Sequence, residues 1–105
     1  EVEFTVQYPV TINDHDEAAW AGDQLREEFG PKRVVEAANP LMGSEDFSFV
    51  LAEVPGVFLF LHASPPEVDP ETAAMNHSST VLFDDAVLGD QAAALARLAM
   101  HRLAR

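Results

Sequence analysis

The chain has no cysteine, little basic charge and no long apolar run, and each shortage closes off a class of protein. Without cysteine, these 105 residues hold neither a disulfide framework nor a thiolate metal site. Six Lys and Arg stand against 18 Asp and Glu, giving a formal charge of -12. No basic cluster reverses that balance locally, so phosphate backbones and anionic membranes are repelled, and neither nucleic acid nor membrane is an expected partner. The longest apolar run, from Val57 to Leu61, is strand-sized, against the roughly 20 residues of a membrane span. No two histidines lie three or four residues apart, and neither a GxSxG elbow nor a glycine-rich phosphate loop occurs.

What remains is a chain long enough for about one domain. It is 48% hydrophobic, with a mean hydropathy of -0.02, which fits a soluble globular protein. It opens on Glu1 rather than Met, which reads as a processed product or an excised piece. The lack of cysteine points toward the cytoplasm.

The opening "EVEFTVQY" alternates strictly, with Val2, Phe4, Val6 and Tyr8 on one side and Glu1, Glu3, Thr5 and Gln7 on the other. Period two predicts a half-buried strand, and no neighbouring hairpin offers it a partner. Asn13 or Asp14 then caps a helix through "DEAAWAGDQLREEF", stopped by Gly30 and Pro31, with Trp20, Ala21, Leu25 and Phe29 as its apolar stripe. "KRVVEAA" is a short strand candidate. In "NPLMGSEDFSFVLAEVPG", Ser44 is the expected cap of a second helix, with Phe47, Val50 and Leu51 on one face. "VFLFLHA" is apolar throughout, the pattern of a strand covered on both faces. A proline-rich loop, "SPPEVDPETAAMNHSS", leads to a last helix capped by Asp84 or Asp85, with Val87, Leu88, Ala92, Leu95, Ala99 and Leu103 directed at the core. The order predicts an α/β fold with helices packed on a sheet and one orphan strand in front.

Two places could carry chemistry. His77 lies at the end of the long loop, where a neutral imidazole can ligate zinc or a similar ion; a loop histidine is also commonly just a solvated side chain. His62 ends the apolar strand, where α/β sheets place their sites, whereas His15 and His101 read as surface residues. In "GSED", Gly43 permits close approach of a ligand, and the amides of Ser44, Glu45 and Asp46 could meet an anionic group. Glu45 and Asp46 could orient a metal ligand or take a proton. A capped helix whose acids offset its dipole explains the same residues locally.

Taken together and in order, "YPVTIND", "LMGSEDFSFVLAEVPGVFLFLHA" and "MNHSSTVLFDDAVLGDQAAAL" resemble the carboxyl-terminal part of the M20 metallopeptidases. The resemblance covers essentially the whole chain. It is closest to the amidohydrolase branch of hippurate hydrolases and N-acyl-amino-acid hydrolases, although the proline usual after the family's histidine is missing. It implies that residues 1–13 are the last strand of a lid or dimerisation domain and its hinge. Residues 14–105 would be the closing portion of a zinc-peptidase-like catalytic domain. His77 falls on the family's carboxyl-terminal metal-binding histidine, and Gly43, Ser44, Glu45 and Asp46 fall on the loop beside the metal site. The other ligands and the catalytic Glu would lie upstream. The implied cofactors are two divalent ions per full-length chain, zinc or manganese, and the implied substrates are N-acyl amino acids or small peptides. The implied assembly is a homo-oligomer.

The alternatives are a non-catalytic acidic protein-binding module and, within the family, a dipeptidase or desuccinylase. "MGSEDF" favours the amidohydrolase branch. A single imidazole falls short of the three or so protein ligands a catalytic zinc needs. The 105-residue chain alone should therefore show no metal-dependent hydrolysis of N-acyl amino acids, as read by amino-acid release with added zinc or manganese.

Overall fold

The structure is a computed structural model and describes residues 2, 3, 5, 7–69 and 71–104. Its regular elements among these are three α-helices: α1 (His15–Phe29), α2 (Phe47–Glu53) and α3 (Leu88–Leu103). Single 3-10 turns at Pro31–Arg33 and Asp85–Val87 follow α1 and precede α3. The chain divides into two compact units, Glu1–Leu59 and Phe60–Arg105.

The first unit is built around α1. Asp14 caps it: one carboxylate oxygen accepts from the amides of Asp16 at 3.0 Å and Glu17 at 2.9 Å. Asp16 and Glu17 add negative charge at the positive end of the helix dipole. At the other end Gly30 takes a φ of 90°, open to a residue without a Cβ, and its amide donates to the Arg26 carbonyl. The expected stripe is seen: Ala21 and Leu25 are buried, and Trp20 and Phe29 are half-buried. Arg26 bonds Asp23 at 3.1 Å and Glu36 at 2.6 Å, tying the helix to the segment beyond Gly30.

The entry to α1 is fastened to the exit of α2. The Asn13 side chain accepts from the Phe58 amide at 2.8 Å and donates to the Phe58 carbonyl at 3.1 Å. One residue on, the Asp14 amide donates to the Gly56 carbonyl at 3.0 Å. Two ring pairs reinforce this junction, Tyr8 with Phe49 at 5.9 Å and Phe47 with Phe58 at 5.8 Å between centroids.

The sheet expected from the sequence is not formed: there is no strand among the described residues. Of the opening alternation, Glu1, Phe4 and Val6 lie outside the described residues. In "KRVVEAA", Lys32 and Arg33 belong to the 3-10 turn and Val35 is 84% exposed. In "VFLFLHA", Phe60 is 71% exposed. The physical reason is that a strand exists only through the neighbour that takes its backbone hydrogen bonds. Here a side-chain amide and single backbone bonds stand in for a ladder.

In the second unit, the Asp84 amide donates to the Ala63 carbonyl at 2.8 Å, which closes the long loop. The Asp84 carboxylate then accepts from the Ala86 amide at 2.9 Å, capping the 3-10 turn that runs into α3. The expected direction of α3 needs correcting. Val87 is half-buried, but Leu88, Ala92, Leu95, Ala99 and Leu103 are exposed, and Ala94 is the buried residue. A helix turns its apolar stripe inward only where an apolar surface awaits it. The segment before α3 folds as successive turns and offers no sheet face. Among the described residues no helix is long and apolar enough to cross a membrane.

The cap gives the first test. Asp14→Ala should lower stability by about 1 kcal/mol, seen as a lower urea midpoint at unchanged slope, whereas Asp14→Asn should keep most of it.

Candidate functional site

Loop 63–84 is organised by turns, each closed by its own backbone. The Pro65 carbonyl accepts from Val68 at 3.0 Å, and the Asp69 carbonyl accepts from Thr72 at 3.0 Å and Ala73 at 2.8 Å. The Asp69 side chain also accepts from the Glu71 amide. A third turn, residues 75–78, carries His77 and is closed by the Ser78 amide on the Met75 carbonyl at 3.0 Å.

His77 has a φ of 73°, and among the described residues it is the non-glycine residue with positive φ. It holds the third place of its turn, where a type II turn favours glycine or asparagine. A residue with a Cβ there is held against a cost on the order of 1 kcal/mol. The residue is exposed, its amide donates to the Asn76 side chain at 3.2 Å, and no hydrogen bond joins its ring to another described residue. Beyond it, Ser78 and Thr80 share a hydroxyl hydrogen bond of 3.0 Å, and the Thr80 amide donates to Ser78 Oγ. The hydroxyls thus stiffen the segment just after the imidazole. A small hollow of about 250 Å³ lies in the same loop, lined by Ser64, Thr72, Thr80 and Leu82 among others, and His77 is not part of its wall.

The second candidate lies in the first unit. Gly43, Ser44 and Asp46 are exposed and Glu45 is half-buried. Ser44 does not cap the helix: α2 starts at Phe47, Asp46 at its N-cap makes no side-chain cap bond, and the Glu45 carboxylate accepts from the Phe47 amide at 3.2 Å. The Glu45 and Asp46 carbonyls take the amides of Ser48 at 3.2 Å and Phe49 at 3.0 Å. The helix starts two residues later than a cap at Ser44 requires, and the Glu45 side chain reaches forward to its first amide.

Sequence reasoning missed Ser48. It is 2% exposed, and its hydroxyl has no hydrogen-bond partner among the described residues; the Thr11 hydroxyl is in the same position. A groove of about 560 Å³ between residues 9–15 and α2 has Ser48 in its wall. The available signal was a small hydroxyl residue one place into an otherwise apolar helix, which most often means nothing. Of the remaining histidines, His15 is exposed and lies 3.2 Å from Asp16, His62 is exposed, and His101 is half-buried on α3.

As a donor, the His77 ring is free to meet a divalent cation: the residue is exposed, and no hydrogen bond joins the ring to another described residue. It is nevertheless one ligand, and no group of three or more His, Cys, Asp or Glu that could hold a metal ion occurs among the described residues. Residues 43–46 and His77 belong to different units.

The family model described as peptidase family M20/M25/M40 matches residues 1–101. The chain belongs to that family. It is 30% identical over 103 residues to the hippurate hydrolase of Campylobacter jejuni subsp. jejuni serotype O:2, a stretch covering 98% of this chain and 25% of that relative. The chain thus spans about a quarter of the length of the curated relative it matches. No solved structure matches it with significant similarity.

The strained turn has a measurable signature. In urea titrations His77→Gly should be more stable than His77→Ala by about 1 kcal/mol, because glycine occupies the left-handed region without a Cβ clash. Equal midpoints would show that the loop does not hold position 77 left-handed.

Proposed function

We propose that these residues form the carboxyl-terminal portion of a metal-dependent amidohydrolase that cleaves the amide bond of N-acyl amino acids, with His77 as one metal ligand. Residues 1–13 are the last strand and hinge of a lid domain, and residues 14–105 close the catalytic domain. The observation that carries the reading is the match to a hippurate hydrolase along 98% of the chain, taken with an exposed, unbonded imidazole on a turn that favours glycine.

When bound, two divalent ions would supply the activated water and the polarised carbonyl that amide hydrolysis needs. The role of this chain is to hold a neutral imidazole in place. The left-handed turn sets the direction in which the Cβ of residue 77 leaves the backbone, and the hydroxyl pair of Ser78 and Thr80 steadies the chain just beyond it. Gly43 and Ser44 are exposed and lack bulk, which suits a wall that a substrate approaches closely. Glu45 and Asp46 bring negative charge to that wall, where they would orient a cationic or hydrogen-bonding partner. The remaining ligands and the general base come from residues outside these 105, and the native protein is a homo-oligomer.

Intact mass and metal analysis of the native gene product provide the test. A chain several times heavier than 11.5 kDa, carrying about two divalent ions and hydrolysing hippurate or related N-acyl amino acids, is expected. In that product His77→Ala should lose metal and lower hydrolysis at least about a hundredfold. A metal-free native product of 11.5 kDa would leave an acidic binding module instead.

A further inference from the structure

The chain carries three asparagines, Asn13, Asn39 and Asn76, and their surroundings divide them sharply. The side-chain carbonyl of an asparagine can be attacked by the backbone nitrogen of the next residue, because the two close a five-membered ring. The reaction needs that nitrogen to carry a proton it can lose, to be free of other bonds and to lie beside the carbonyl.

Asn13 fails on two counts. Its side chain is held by the Phe58 amide at 2.8 Å and the Phe58 carbonyl at 3.1 Å. The nitrogen that would attack it, that of Asp14, is engaged with the Gly56 carbonyl at 3.0 Å. Asn39 fails on chemistry, since Pro40 follows it and a proline nitrogen has no proton to lose. Asn76 meets every condition. It is exposed, and the His77 nitrogen lies 3.2 Å from its Oδ1. The carbon under attack is the one bonded to that oxygen, so nucleophile and electrophile already sit side by side. No other hydrogen bond holds the Asn76 side chain among the described residues.

We propose that Asn76 is a site of spontaneous deamidation, with the His77 backbone nitrogen as its nucleophile. The His77 nitrogen bonds to Asn76 Cγ and gives its proton to water. The Cγ–Nδ2 bond breaks, and Nδ2 leaves as ammonia with a proton taken from water, so a succinimide joins residues 76 and 77. Water then opens the ring. Cleavage at Cγ gives aspartate at position 76, and cleavage at the backbone carbonyl gives isoaspartate. In sum one water is consumed and one ammonia released, with no oxidant or reductant. Isoaspartate routes the main chain through the former side chain and lengthens it by one carbon. The turn closed by the Ser78 amide on the Met75 carbonyl then has a different ring, and the φ of 73° at His77 is no longer imposed. The segment that presents the imidazole thus carries its own ageing reaction. The modification stands apart from the hydrolase reading, and only its effect on bound metal rests on that reading.

The test ages the native gene product at neutral pH and physiological temperature, reads its peptides by mass and scores isoaspartate by enzymatic carboxyl methylation. The peptide holding Asn76 should gain about one dalton at least about tenfold faster than those holding Asn13 and Asn39. In urea Asn13 should begin to convert, because the Phe58 and Gly56 bonds no longer hold it, while Asn39 stays unchanged. Asn76→Gln should abolish methylation of its peptide. Conversion of Asn76 no faster than that of Asn13 in the folded product overturns the proposal. So does an Asn76 that is intact when folded and converts only in urea, since the turn would then protect it. In a metal-bearing product, metal should leave in step with isoaspartate. Isoaspartate with the metal retained overturns the link to His77 and leaves the modification site standing.

Discussion

The first unit depends on a substitution of side chain for backbone. A primary amide carries a donor and an acceptor in the same plane, as a peptide group does, and Asn13 uses both on the backbone of Phe58, meeting its N–H and its C=O. With the Asp14 amide on Gly56, this makes a short imitation of strand pairing where no strand is formed among the described residues. The start of α1, the end of α2 and the two ring pairs are held in register by it. Aspartate at position 13 would lose the donor and bring a charge to the contact, so the requirement is for asparagine in particular.

The features legible in the sequence were those decided within a few residues. Asp14 before an apolar-periodic run, Gly30 and Pro31 after it, and Asp84 ahead of the last helix are local signals, and each acts as expected. The strands were different. Their patterns are clear in "VFLFLHA", but a pattern states what a segment would do given a partner, and these residues do not bring one. The face of α3 was legible as a stripe yet not as a direction, since periodicity says which residues belong together and only the surroundings decide which way they turn.

The candidate site divides along the same line. The order of "MGSEDFS", "VPG" and "NHSS" was enough to point to the family, and the family match covers residues 1–101. The constraint on His77 was invisible, because nothing in "MNHSS" announces that the third place of a turn is taken by a residue with a Cβ at a φ of 73°. The later start of α2 was likewise hidden: Asp46 stands at the N-cap without a side-chain bond, and the Glu45 carboxylate takes the Phe47 amide instead.

The hydrogen bond from Asp84 to Ala63 bears on how the long loop can vary. It pins the two ends of the loop together, and the turns between them are each closed by their own residues. Doubling a flexible loop costs only about 0.6 kcal/mol in closure entropy. Residues can therefore be gained or lost near Asp69 without shifting the anchor points or the turn at His77. A change of length in that stretch therefore costs little closure entropy, while the Asp84 to Ala63 bond keeps the ends of the loop together.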